Sequence, residues 1–150
     1  MMTHVGTQKL FIDAMKELLE LEYDALEAYN VAVSKIGKEE CKKKLQEFLK
    51  DHENHINKLK EYLKKHSIEI PSGPSSKQWL TKGKVYLGNL IGDRKVIEAM
   101  LSNERDVIMA YENVTQRTDK WPEIVTFLNK AYDDEKKHKI GLETILDKFL

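Results

Sequence analysis

The stretch LQEFLKDHENHINKLKEYL, Leu45 to Leu63, decides the fold. Its apolar places recur at Leu45, Phe48, Leu59 and Tyr62, and the places between are held by His52 and His55. Spacing of three and four marks one face of an amphipathic helix. That face is the one a helix buries. Two imidazoles on it need partners, because a dry, unpaired polar group costs several kcal/mol.

The same interruption recurs outward along the chain. Phe11, Ala14, Leu18, Ala25, Tyr29, Ala32 and Ile36 trace a helix whose missing place is Glu22. Ile97, Met100, Leu101, Ile108, Tyr111 and Val114 trace another, broken by Glu104. Val125, Leu128, Ala131, Leu142 and Ile145 trace a last one, broken by Glu135 and His138. Cys41 extends the second stripe and reads as a small buried hydrophobe.

The expected helices cover roughly 7–36, 38–66, 93–117 and 122–148 of a single 1–150 domain. Gly37 suits a helix C-cap, Glu39 and Glu40 a first turn, Asp93 an N-cap and Pro122 a first helical position. Residues 67–92, with Pro71, Gly73 and Pro74, read as a long crossover holding a short helix. Trp79 and Tyr86 within it are expected to cover the side of the bundle or form a dimer contact. The tight links make helices one and two antiparallel, and likewise three and four. A helix of about 30 residues is roughly 45 Å long, a distance the crossover can span. The fold class is therefore all-α, a four-helix bundle with one long crossover.

The chain also resembles itself. Glu22-x-Asp24 followed by Ala28-Tyr29 matches Glu104-x-Asp106 followed by Ala110-Tyr111, and Asp51-His52-x-x-His55 matches Asp134-Glu135-x-x-His138. Two helix pairs with one pattern imply a pseudo-twofold bundle. Residues three apart share a helix face, so His52 and His55 aim at one spot, as do Glu135 and His138. Each of the six interrupting residues lies near its helix midpoint, and midpoints coincide in an antiparallel bundle. Six carboxylates and imidazoles at one level form a candidate metal site. Such ligands suit iron, manganese or zinc better than calcium or magnesium. They bind as neutral imidazole and ionised carboxylate, so affinity is expected to fall as pH drops through the histidine range. Two ions could share the site, bridged by Glu22 and Glu104.

The pattern resembles the ferritin-like superfamily of di-iron carboxylate proteins, in its rubrerythrin-like erythrin layout. That family places a Glu on helices one and three and Glu-x-x-His on helices two and four. The resemblance covers nearly the whole chain: Glu22 and Glu104 match the single glutamates, Glu135 and His138 the second Glu-x-x-His, and His55 the first histidine. His52 departs, standing where the family carries Glu and offering a nitrogen without a bridging oxygen or a negative charge. The resemblance implies two iron ions, with manganese or zinc as substitutes, and oxidation of ferrous iron or reduction of peroxide or dioxygen. With no CxxC electron-transfer domain in the sequence, an external electron donor is implied. Against this enzyme stand a metal-binding protein without turnover and a metal-free polar layer that sets helix register. The departure at His52 favours these.

Asp51 and Asp134 read as groups that orient the histidines. Tyr29 and Tyr111 each follow a site glutamate by seven residues. They read first as core aromatics and second as hydrogen-bond partners of the ligands. Asp24 and Asp106 should face outward, and His4, His66 and the lysine runs read as surface. Acidic and basic residues balance at 25 each, which favours neither nucleic acid nor an anionic membrane as partner. MMTHVGTQKL lacks the apolar core of a signal peptide, and no apolar run approaches the roughly 20 residues of a membrane span. A cytoplasmic protein is expected, in a possible homodimer. A storage cage is disfavoured, since no fifth helix follows Leu150.

Overall fold

A computed structural model describes residues 3–74, 79, 80 and 82–150. The expected crossover at 75–78 and 81, and the first two residues of MMTHVGTQKL, lie outside them. The chain runs α1 (Phe11–Lys35), α2 (Glu39–Lys65), the short α3 (Lys84–Gly88), α4 (Asp93–Thr115), a 3-10 turn (Pro122–Ile124) and α5 (Val125–Lys148). No strand occurs among the described residues. This is the expected all-α bundle, with a short helix between the second and third long ones.

Two sets of contacts define the ends. At one, Trp121 of the α4–α5 link meets Phe11 at the start of α1 (5.0 Å between centroids) and stacks on His66 at the end of α2 (3.5 Å). At the other, Asp93 of α4 accepts hydrogen bonds from Gly37 and Lys38, and Lys38 Nζ donates to Phe149 O beyond α5. So α1 and α5 run one way, and α2 and α4 the other. α1 packs against α2 and α4, and α5 completes the ring against α4 and α2.

The core is the set of stripes read from the sequence. Phe11, Ala14, Leu18, Ala25, Ala32, Leu45, Leu59, Ile97, Met100, Leu128 and Leu142 are all buried. Burial of this kind contributes on the order of 1.5–3 kcal/mol per large side chain and drives the helices together. The neighbours Leu63 and Val107 are buried where Tyr62 and Ile108 were expected, a drift of one residue along each face.

Four local expectations change. Helix α1 begins at Phe11, not near residue 7, because the Arg117 guanidinium takes the carbonyls of Gly6, Gln8 and Lys9. Gly37 is not a left-handed cap; Ile36 ends α1 in extended backbone. Asp93 does not cap α4. Its carboxylate accepts the N–H groups of Gly37 (2.9 Å) and Lys38 (3.0 Å), serving the start of α2 instead, where an anion complements the helix dipole. Pro122 opens a 3-10 turn ahead of α5 rather than the helix itself.

The short α3 of the crossover packs along α1. Leu80 and Leu87 are buried, and Trp79 packs half-buried against the core. Its backbone N–H donates to Asp24 Oδ2 at 2.8 Å. Asp24 therefore does not face open water as expected. Burial pushes its carboxyl up to about 6. Asp106 is likewise half-buried, and burial raises it. Tyr86 stays exposed, with Lys82 Nζ over its ring. His4, His66 and most of the lysines in the three runs are exposed, as read.

Candidate metal centre

Each long helix brings its interrupted stripe to the bundle axis, where the interrupting residues meet. Glu22, His52, His55, Glu104, Glu135 and His138 are all 0–3% exposed. They form two overlapping groups that could hold a metal ion: Glu22, His52, His55 and Glu135; and His52, Glu104, Glu135 and His138.

The contacts run across the bundle. His52 Nδ1 lies 2.6 Å from Glu22 Oε1, and its Nε2 lies 3.2 Å from Glu104 Oε1 and 3.5 Å from Glu135 Oε2. His55 Nδ1 is 2.8 Å from Glu22 Oε2 and 3.1 Å from Glu135 Oε1. His138 Nδ1 is 3.1 Å from Glu135 Oε2 and 3.6 Å from Glu104 Oε1. Glu22 and Glu104 thus each belong to one group, while Glu135 and His52 belong to both.

Around this layer sits a crossed set of supports. His55 Nε2 pairs with Asp134 Oδ2 (2.8 Å), and His138 Nε2 with Asp51 Oδ2 (2.8 Å). Each aspartate holds the histidine of the opposite helix pair, not of its own helix. A carboxylate on the far nitrogen fixes the ring's orientation and leaves the near nitrogen aimed inward. The tyrosines are crossed in the same way. Tyr29 OH donates to Glu104 Oε1 (2.5 Å) and Tyr111 OH to Glu22 Oε2 (2.6 Å). They are buried aromatics, as first read, but the hydroxyls make them partners of the ligands as well.

The electrostatics follow from this packing. Burial disfavours the charged form of His52, yet the Glu135 and Glu22 carboxylates outweigh it and push the imidazole up to about 10. His55 and His138 are pushed up to about 12 against the same burial, chiefly by Glu22 and Asp134 for the first and by Glu135 and Asp51 for the second. Burial would raise Glu22, but His52 and His55 hold it at about 2. His138 and His52 similarly hold Glu104 below the ordinary range against burial. Glu135 goes the other way, raised by burial and by the Glu104 charge. Asp134, kept at about 2 by His55 and Lys130 despite burial, also pairs with Lys130 Nζ at 3.1 Å.

The donor set suits a transition-metal cation: three imidazoles, three carboxylates, water excluded. Glu104 Oε2 and Glu135 Oε1 are buried and accept no hydrogen bond. Such orphaned acceptor oxygens are costly without a cation. His55, 3.1 Å from Glu135 Oε1, offsets part of that cost by charge.

The two halves are not equivalent at the surface. Phe48 lies over His138 with centroids 4.5 Å apart, and a Cβ on Gly141 would come within 2.5 Å of the Phe48 ring. On the other side a groove of about 360 Å³ between α2 and α5 reaches His55 and Asp134, past Asn57, Phe127 and Lys130. Sequence reasoning missed Lys130, although its spacing of four from Asp134 is a readable helical ion pair. It also missed Asn103, buried beside Glu104, which donates to the Lys82 carbonyl and ties α4 to the crossover.

Cys41 is buried as expected, and burial raises its thiol. No helix among the described residues is long and apolar enough to cross a membrane.

No curated protein and no solved structure matches the chain. The sequence pattern of the domain of unknown function DUF2383 matches residues 11–117, from α1 through α4, and stops short of Glu135 and His138. That match takes in more than half of the chain, which therefore belongs to the DUF2383 family.

Proposed function

We propose that this chain is a ferritin-like metal-binding protein, rubrerythrin-like in layout, with a dinuclear non-haem centre among α1, α2, α4 and α5. The observation that carries the proposal is the pair of overlapping four-residue groups, with two buried carboxylate oxygens left without a hydrogen bond. Iron is the first candidate, with manganese or zinc as alternatives. Glu22 and His55 would hold one ion, Glu104 and His138 the other, with Glu135 and His52 between them. A redox-active pair would supply electrons to peroxide or dioxygen, or oxidise incoming ferrous iron. The protein's own part is to exclude water, orient the rings through Asp51 and Asp134, and keep protons on the Tyr29 and Tyr111 hydroxyls beside the glutamates. Turnover would draw on an external electron donor.

A second reading has one observation in its favour. All three imidazoles already pair with carboxylates, so the layer is close to electrically balanced without metal and could serve as a structural network.

Anaerobic titration of the metal-free protein with ferrous iron, followed by an aerobic pulse, separates these readings. Two ions per chain and rapid oxidation support the enzyme. Binding without oxidation supports a metal-binding protein without turnover. No binding, and no rise in melting temperature on adding metal, leaves the structural network, since a ligand of the native state must stabilise it.

A further inference from the structure

We infer that His52 is a bridging ligand, joining the two metal positions through Nδ1 and Nε2 as Glu135 joins them through Oε1 and Oε2. The inference rests on the metal-binding reading above and specifies how its two positions are connected.

The two ring nitrogens face different halves of the site. Nδ1 lies 2.6 Å from Glu22 Oε1, on the side of His55. Nε2 lies 3.2 Å from Glu104 Oε1, on the side of His138. Glu135 is divided in the same way: Oε1 is 3.1 Å from His55 Nδ1 and Oε2 is 3.1 Å from His138 Nδ1. Under the pseudo-twofold relation of the helix pairs, position 52 corresponds to position 135. The two residues that belong to both groups are therefore symmetry mates. Each position then has one glutamate and one histidine of its own, plus one atom from each shared residue. With one atom from each residue, the two groups have four donors apiece only if both shared residues are divided.

A neutral imidazole binds one metal, because its other nitrogen keeps a proton. Bridging requires both nitrogens free, so both N–H protons pass to solvent as the ions bind. The ring then carries one negative charge, the charge a glutamate would bring at this place. His52 thus keeps the charge balance of the carboxylate it replaces. It changes the spacing, because a rigid ring spreads the ions further apart than a carboxylate does.

The test uses the metal-free full chain and Co²⁺ under anaerobic conditions, with calorimetric stoichiometry and X-ray absorption for the metal–metal separation. Two ions per chain are expected, further apart than the roughly 3.5–4 Å of common two-metal sites. His52→Gln can serve one ion but cannot bridge. It is expected to keep the first and weaken the second by more than about 100-fold, beyond the loss typical of removing an outer partner. His52→Glu is expected to keep two ions and draw them to the shorter spacing, and carries the test if the Gln variant does not fold. A wild-type pair at about 3.5–4 Å, or a His52→Gln variant holding two ions as tightly as wild type, would overturn the bridge. One ion in the wild type would also overturn it while leaving metal binding intact. No Co²⁺ binding at all would sink the parent reading too.

Discussion

Tyr111 on α4 donates its phenolic proton to Glu22 on α1 at 2.6 Å, and Tyr29 on α1 returns the same bond to Glu104 on α4 at 2.5 Å. Both bonds are buried and both go to carboxylates, the class of hydrogen bond worth about 1.5–3 kcal/mol. Tyr111→Phe is expected to lower the unfolding free energy of the metal-free protein by about that amount. Metal affinity should also fall, by about 10-fold or more, as Glu22 loses a fixed orientation. Denaturant titration and calorimetry measure the two effects. An unchanged midpoint would show that the hydroxyl contributes nothing to the network.

The crossed aspartates predict an asymmetric mutational pattern. Asp134→Asn removes the anion on His55 Nε2 and leaves Lys130 without its partner. Metal affinity is expected to drop about 10–100-fold. Lys130→Ala removes only an ion pair whose lysine end is exposed, for a loss of at most about 1 kcal/mol of stability. Equal effects from the two substitutions would contradict the role given to Asp134.

The histidines predict the pH dependence. The imidazoles of the metal-free protein hold their protons up to about 10 to 12, far above the free value of about 6.5. Their contribution to stability is therefore full below about pH 6.5 and is lost as pH rises through that upper range. Glu22, held at about 2, contributes above its ordinary range and loses that contribution as pH falls toward 2. The metal-free protein should thus weaken at both extremes. Since metal must displace the histidine protons, zinc binding at pH 7 should release protons and tighten further as pH rises. Affinity should not level off near pH 6.5, where free histidine would place the change. Calorimetry in buffers of different ionisation enthalpy reads this directly, and zero proton release would refute it.

Gly141 predicts an exception to helix propensity. Alanine in a helix interior ordinarily gains about 0.5–1 kcal/mol over glycine. Here the added Cβ would sit 2.5 Å from the Phe48 ring, which is itself held against His138. Overpacking of this kind costs about 1–3 kcal/mol, so Gly141→Ala is expected to destabilise on balance. Adding Phe48→Leu should restore part of the loss. Thermal melts of the single and double variants decide it; a stabilised single variant would show that the ring moves freely.

The helices and the six central residues were legible because a charged group on an apolar stripe breaks a period that is otherwise regular. Glu22, His52 and Glu104 betray themselves in this way, and the internal repeat says that the breaks belong together. The crossing of partners was not legible. Asp51 precedes His55 by four residues, so its service to His138 depends on how α2 meets α5, which no spacing within one helix encodes. The shared roles of His52 and Glu135 depend on the same meeting of faces. Asp93 and Asp24 were misread for a related reason: each looks locally like a cap or a surface acid, and each answers a backbone N–H brought from elsewhere. The start of α1 was misplaced because Arg117, more than a hundred residues away, claims the carbonyls that would have entered the helix.

The reciprocity of Tyr29 with Glu104, Tyr111 with Glu22, Asp51 with His138 and Asp134 with His55 means that each helix hairpin completes the hydrogen bonding of the other's central residues. The molecule behaves as a homodimer written into one chain, with the connection from α2 to α4 as its tether. Such a tether replaces a bimolecular encounter by a fixed local concentration of the second hairpin. Assembly of the charged layer is then independent of how much protein is present. It also frees the two hairpins to diverge, and one mark of that freedom is that position 52 carries a histidine where its counterpart, position 135, carries a glutamate.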